Sequence, residues 1–240
     1  MSERFFVETP IVSASASLFG TEAHHLMHVL RARVGQEVTL FDGSGAEFHA
    51  RIAALARSHV ELEVLERRDV DRESPIGITL GVALPKGDRQ RWLVEKVVEL
   101  GVKRLIPLKT QRGVVQPAES ALSRLRRTVI EASKQCGRNR LLEIMPPCQW
   151  DQFVASADSR ESCRLVADAA ATVIASRIPV APQHATWLAV GPEGGFSREE
   201  IALAHHHGWQ SISLGPRTLR VETAAIQLCA IVAASCDAPS

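Results

Sequence analysis

The sequence predicts a mixed α/β protein with two domains: a small β-barrel-like domain, then an α/β domain built on a parallel sheet. The first part of the chain alternates short apolar strands with turn signals, and the later part alternates strand and helix patterns. Between them, residues 66–75 are charged, lack apolar periodicity and end in a proline that disfavours helix at the preceding residue. We therefore place the domains at residues 1–72 and 73–240.

Short strands and one helix are expected in the first domain. The segment Glu61-Leu62-Glu63-Val64 alternates polar and apolar residues, which is the pattern of a half-buried strand. Thr21 is the expected N-cap of a helix over residues 22–30, whose apolar side chains share one side. The strands are predicted at residues 4–7, 37–41, 47–53 and 60–65, with a turn at 42–45.

The second domain begins with a β-α-β pattern. A strand over residues 76–84, a helix capped by Asp88 and ended by Gly101, and a strand over residues 104–108 imply a parallel sheet. Helical spacing places Trp92 in the core rather than on the surface as a platform for stacked bases. Further helices are predicted at 120–136, 198–207 (with the capping box Ser197 and Glu200) and 222–234, and further strands at 164–167, 186–190 and 211–214.

Composition excludes several classes of protein. Of 240 residues, 45% are hydrophobic and 23% charged, which is ordinary for a globular protein. No stretch approaches the roughly 20 apolar residues of a membrane helix, so we expect no membrane partner. The acidic amino terminus lacks the basic start and apolar run of a secretory signal, and we expect a cytoplasmic location.

Cysteine and histidine patterns do not predict a metal site. The five cysteines form no C-x-x-C pair, and we expect them to be reduced and mostly buried. His24 and His28 lie one helical turn apart, but no third ligand accompanies them, so a surface or packing role is expected.

Positive charge is concentrated in the middle of the chain. Residues 86–140 carry 14 basic and 5 acidic side chains, whereas residues 1–72 carry 8 basic and 11 acidic ones. Such an excess suits a polyanion, because each neutralised phosphate releases condensed counterions. The alternative is a solvated helix face with no partner.

Two glycine-bearing loops each follow a predicted strand. They are Gly191-Pro192-Glu193-Gly194-Gly195 and Gly215-Pro216-Arg217-Thr218-Leu219-Arg220. Ligands of open α/β sheets bind outside the carboxyl ends of strands, so both loops are candidate walls of one pocket; ordinary turn chemistry is the alternative. The chain lacks G-x-G-x-x-G after the first α/β strand and lacks G-x-x-x-x-G-K-[ST], which favours a ligand with an adenine but no phosphate.

These loops resemble the paired signature of the ribosomal RNA small-subunit methyltransferase E family, of the SPOUT superfamily. The first signature ends at Phe196, and the second begins at Leu214 and continues to Ala224. Further matches follow in family order at residues 4–7, 24–31, 86–87, 95–102 and 131–139. The resemblance implies a PUA-like amino-terminal domain, a trefoil-knotted α/β domain and a homodimer. It also implies methylation of N3 of one uridine in 16S rRNA, free or in the small ribosomal subunit, with S-adenosylmethionine and no metal.

The resemblance also implies site residues. Arg220 would stabilise a uracil carbonyl oxygen, and Glu222 would accept a proton or anchor the loop, although a carboxylate at a helix start is favourable for the dipole alone. The cofactor would contact Val190, Gly191, Pro192, Glu193, Gly194, Gly195, Leu214, Gly215, Leu219, Arg220, Thr223 and Ala224. RNA would contact His25, Arg31, Arg33, Gln135, Arg138, Asn139 and Arg140.

Two other functions stay open from the residues alone. A non-catalytic RNA-binding or assembly protein would explain the basic segment but leave the glycine loops without a role. A nicotinamide-dependent oxidoreductase would explain an α/β sheet, but its glycine fingerprint is absent.

Overall fold

The computed structural model describes residues 3–113, 119–157, 162–175 and 185–235. The chain divides into two compact units. Unit one contains residues 1–73 and 130–141, and unit two contains residues 74–129 and 142–240.

Unit one is built on a curled sheet with the strand order β1-β3-β4-β5-β2. The first pair, β1 and β3, is parallel, and the other pairs are antiparallel. One face is apolar and closes over a core that includes Phe5, Leu40 and Phe48. The strands are β1 (Arg4–Phe6), β2 (Ser15–Phe19), β3 (Glu37–Phe41), β4 (Ala46–Leu55) and β5 (His59–Asp69).

Three predictions in this unit were wrong in detail: the end of one strand, the start and form of the helix, and the N-cap of that helix. Strand β5 extends to Asp69, so the charged segment from residue 66 is partly strand, because its backbone pairs with β4 although its side chains are exposed. The chain is helical where a helix over residues 22–30 was expected, but the helix begins earlier, as α1 (Gly20–His24), and continues as a π-helical turn, His25–Val29. Phe19, rather than Thr21, is the N-cap.

Unit two is built on a parallel sheet with the strand order β12-β10-β11-β6-β7-β8, and a short β9 also pairs with β7. Its strands are β6 (Ile78–Val82), β7 (Arg104–Lys109), β8 (Glu143–Ile144), β9 (Cys148–Gln149), β10 (Cys163–Ala167), β11 (Thr186–Val190) and β12 (Gln210–Ile212). The central strand β6 is buried along its whole length, as expected for a strand covered on both faces. Because the strands are parallel, their carboxyl ends meet at one edge.

Helices occupy most of the predicted positions. They are α2 (Arg89–Glu99), α3 (Glu119–Cys136), α4 (Trp150–Ser156), α5 (Arg198–His206) and α6 (Val221–Ala234). The capping box of Ser197 and Glu200 is present. The sequence did not predict α4, which carries two residues of the aromatic core, Trp150 and Phe153.

Trp92 is not in the core. Its side chain is exposed (45%), because the buried stripe of α2 runs through Leu93, Val94, Val97 and Val98. Successive residues of a helix are rotated by about 100°, so Trp92 points away from the middle of that stripe, on the side of α2 that also carries the exposed Glu99.

Candidate active site

Unit two contains a cavity of about 240 Å³ at the carboxyl edge of its sheet. Three adjacent strands, β12, β10 and β11, end there, and the loops that follow them form the walls with the first turn of α6. The lining residues are Ala167, Asp168, Ala169, Val190, Gly191, Pro192, Glu193, Gly194, Gly195, Leu214, Gly215, Arg217, Thr218, Leu219, Val221 and Ala224. The two glycine loops therefore converge on one space.

All the predicted cofactor residues line the cavity except Arg220 and Thr223, which are exposed at the start of α6. Sequence reasoning left out the loop at Asp168, together with Arg217, Thr218 and Val221. The signal for the Asp168 loop was present, because it also follows a predicted strand of the parallel sheet.

The first glycine loop is held between a basic side chain and an aromatic cluster. Arg112 donates a hydrogen bond from Nη1 to the carbonyl oxygen of Gly194 over 2.8 Å. A Cβ added to Gly191 would lie about 3.0 Å from the ring of Phe196. That ring packs on Trp150 with a centroid distance of 4.3 Å, so the loop rests directly on the core of unit two.

The second glycine loop is fastened to α6. Gln227 donates from Nε2 to the carbonyl oxygen of Leu214 over 3.2 Å, and Gly215 donates its N–H to Ser213 Oγ over 3.3 Å. Gly215 has a φ of +111°, which L side chains rarely adopt. This position therefore requires glycine.

The cavity walls present backbone and apolar atoms with a few charges. Asp168 is half-buried, and its Oδ1 accepts a hydrogen bond from the N–H of Ala170 over 2.9 Å. Its other carboxylate oxygen can accept from a hydroxyl group or an amine. Such a site can enclose a flat, largely apolar ligand and bind its polar groups at the rim.

The two predicted catalytic side chains lie in different environments. Arg220 is exposed at the N-cap of α6, and its carbonyl oxygen accepts the N–H of Ala224 over 2.9 Å. Glu222 is only 3% exposed. Its Oε1 lies 3.8 Å from Nη1 of Arg89, and its Oε2 has no hydrogen-bond partner among the described residues.

Of the residues predicted to contact RNA, Arg138 and Asn139 are buried in unit one and paired there. Arg138 forms a bidentate ion pair with Glu73, with Nη2 2.6 Å from Oε2. Asn139 accepts from Arg4 over 2.6 Å and donates to the carbonyl oxygen of Val70 over 3.2 Å. Both side chains hold unit one together, and we leave them out of the RNA surface.

The remaining RNA candidates are accessible. Arg31, Arg33, Gln135 and Arg140 are exposed, and His25 is half-buried with its ring edge-on to Phe5. His25 and Gln135 line one groove of about 630 Å³ in unit one. The basic side chains of that groove are paired with acids: Arg4 and Arg72 with Glu47 at 2.9 and 3.0 Å, and Lys134 with Glu22 at 2.9 Å.

The described cysteines differ in their exposure. Cys229 is buried, but Cys148 and Cys163 are half-buried and Cys136 is exposed, so the expectation of mostly buried thiols was wrong; Cys236 lies outside the described residues.

Within the described ranges, no group of three or more His, Cys, Asp or Glu side chains could hold a metal ion. None of the helices described here is long and apolar enough to cross a membrane.

Known families match both parts of the chain. The RNA methyltransferase domain family matches residues 72–233, and the RNA methyltransferase PUA domain family matches residues 20–65. A ribosomal RNA small subunit methyltransferase E from Synechocystis sp. is 34% identical over 221 residues, covering 89% of this chain and 71% of that protein. A protein of the same name from Bacillus subtilis is 28% identical over 236 residues, covering 92% of each chain.

Solved structures match over nearly the whole length. A putative methyltransferase from Legionella pneumophila, in complex with the bound cofactor S-adenosylmethionine, superposes with a TM-score of 0.89 at 34% identity, covering 98% of each chain. A ribosomal RNA small subunit methyltransferase E from Neisseria gonorrhoeae, bound to S-adenosylmethionine, has a TM-score of 0.87 at 34% identity and covers 97% of this chain and 96% of its own.

Proposed function

Because the chain belongs to the ribosomal RNA small subunit methyltransferase E family, we propose that it transfers a methyl group from S-adenosylmethionine to N3 of one uridine in 16S rRNA. Its fold is a PUA-like domain followed by a SPOUT-type parallel-sheet domain, which confirms the predicted fold class. The trefoil knot stays a prediction.

The observation that carries the proposal is the convergence of three loops on one cavity at the carboxyl edge of the sheet. The residues present fit an adenine-bearing sulfonium: Gly191, Gly195 and Gly215 let backbone approach a flat ring, and Leu219 and Ala224 supply apolar walls. Asp168 and Glu193 supply carboxylates for the ligand's hydroxyl and ammonium groups. The solved relatives from Legionella and Neisseria, with S-adenosylmethionine bound, support this assignment.

The bound donor would supply an already activated methyl carbon, so the protein mainly has to align a nucleophile with it. Uracil N3 carries a proton at neutral pH and is a poor nucleophile until that proton leaves. Glu222, which adjoins the cavity residue Val221, would accept the proton: its Oε2 is buried and has no hydrogen-bond partner among the described residues. Arg220, exposed beside the cavity, would stabilise the negative charge that develops on a uracil carbonyl oxygen.

We assign RNA binding to residues 1–72 together with the exposed end of α3 and the loop that follows it. His25, Arg31, Arg33, Gln135 and Arg140 are the accessible donors. Phosphate contacts from such residues would set the register of the RNA without reading its sequence. A homodimer and a cytoplasmic location complete the proposal.

The test uses 16S rRNA and small subunits from cells that lack this protein. Purified protein and methyl-labelled S-adenosylmethionine are added to each, and mass spectrometry of nuclease fragments locates the label. One N3-methyluridine, formed by the wild-type chain and far more slowly by E222Q, is the expected result. Label on a ribose, on another base, or nowhere would refute the proposal.

A further inference from the structure

Arg89 occupies a position that helix stability does not explain. It is the first residue of α2, where the helix dipole disfavours a positive charge. Strand β6, which precedes α2, pairs in parallel with β11, and the N–H of Ala83 extends this pairing to the carbonyl oxygen of Val190 over 3.0 Å. The segment that leads to Arg89 therefore leaves the sheet at the same edge as the first glycine loop.

The guanidinium of Arg89 lies between two carboxylates. Its Nη1 is 3.8 Å from Glu193 Oε1 and 3.8 Å from Glu222 Oε1. The side chain of Glu193 is 54% exposed and lines the cavity, whereas that of Glu222 is 5% exposed. Arg89 thus links a residue of the cavity wall to a buried residue of α6.

A buried carboxylate loses its hydration, and a nearby cation or hydrogen-bond donor has to compensate for that loss. Without a nearby cation, the charge of Glu222 would be largely stripped of water and uncompensated, which is strongly unfavourable. Arg89 is the one basic side chain among the described residues recorded within 4 Å of it. It approaches Oε1 only, and Oε2 stays without a hydrogen-bond partner in the described part of the chain.

We propose that Arg89 is a positioning residue for the transfer reaction: it holds Glu222 through Oε1 beside Glu193, so that the buried Oε2 stays without a partner until it accepts the proton of a bound uracil N3. This inference rests on the proposed function. Arg89 takes no proton and bonds to no reacting atom; it orients the carboxylate that does.

The test is a double-mutant cycle in the full-length chain with R89M, E222Q and R89M/E222Q, and with R89K as the conservative variant. Single-turnover methylation is measured at saturating RNA and S-adenosylmethionine. R89M should slow transfer by about 10- to 100-fold, and R89K should recover part of the rate. The double variant should be no slower than E222Q, because Arg89 acts through Glu222.

Two measurements that do not depend on methyl transfer, thermal unfolding and calorimetry of donor binding, accompany the rate measurements. R89M should lower the thermal midpoint of unfolding, and E222Q should remove that loss, since the neutral amide no longer needs the cation. Calorimetry should show that the affinity of R89M for S-adenosylmethionine changes by less than about threefold, separating positioning from cofactor binding.

Independent, multiplicative losses of rate in the double variant would overturn the role of Arg89, as would an R89M rate equal to that of the wild-type chain. If R89M does not fold, the same cycle with R89K and E222Q decides the question by the same criterion. A wild-type chain that binds the donor but methylates no RNA would instead refute the proposed function, and this role with it.

Discussion

The groove of unit one is lined mainly by charged side chains, whereas the cavity of unit two is lined mainly by loop backbone and apolar side chains. In the groove, long charged side chains from several elements are already paired with one another, as in the pair of arginines that share Glu47. In the cavity, the walls are loop backbone, glycines and apolar side chains at the ends of three parallel strands. The charged side chains of the groove are therefore engaged within unit one, whereas Asp168 of the cavity keeps a carboxylate oxygen that can accept from a ligand.

The largest expected effect concerns Glu222 of unit two, the buried carboxylate that Arg89 approaches. E222Q keeps the size of the side chain but removes its capacity to accept a proton, so methyl transfer should fall by about 10²- to 10⁴-fold. Single-turnover rates and calorimetry measure transfer and donor affinity separately. A normal rate with unchanged affinity would remove Glu222 from the chemistry.

The paired charge of unit one is tested by R138M. Arg138 is buried against Glu73, so removing it leaves a carboxylate without its partner and should destabilise the protein by about 3–5 kcal/mol. Denaturant unfolding measures the loss. Donor affinity should stay the same, because the cavity lies in unit two; a parallel loss of donor binding in the folded variant would contradict this separation.

The packing beneath the cavity is tested by G81A. A Cβ at Gly81, in the central strand β6, would overlap the ring of Phe153, and overpacking of this kind costs about 1–3 kcal/mol. G77A is the matched control, because no atom lies within 4 Å of its added Cβ. Equal unfolding free energies for the two variants would show that the ring moves aside at no cost.

The RNA surface of unit one is tested by R33A/R140A. Both residues are exposed, and losing two phosphate contacts should weaken RNA binding and reduce the salt slope of log K by up to about 1.4 on single-stranded RNA. Filter binding over a range of salt concentrations measures the slope. R57A, an exposed arginine outside the predicted set, is the control; equal slopes for control and test variants would refute the assignment.

The smallest effect at neutral pH concerns Cys229. Burial raises the pKa of its thiol from 9.0 to about 12. The folded state therefore holds the proton more tightly, so this contribution to stability is complete below pH 9 and is lost as the pH rises from 9 towards 12. Between pH 9 and 10 the wild-type chain should lose about 1 kcal/mol more than C229A, as measured by urea unfolding. A parallel pH dependence would show that the folded thiol ionises as freely as the unfolded one.

Local signals in the sequence determined much of this protein. Alternation and turn residues marked β3, β11 and most other strands, and the capping box at Ser197 marked the start of α5. Glycines after two strands marked the loops of the cavity. Each of these signals acts over a few residues, within the reach of backbone preference and side-chain periodicity.

The tertiary structure alone decided the rest. It buried Arg138 and Asn139, which the resemblance assigned to RNA contact, because partners from distant parts of the chain, Glu73, Arg4 and Val70, meet them in unit one. It also set Arg89 between two carboxylates. Such contacts join residues far apart in sequence, and only the packing of whole elements against one another determines which of them form.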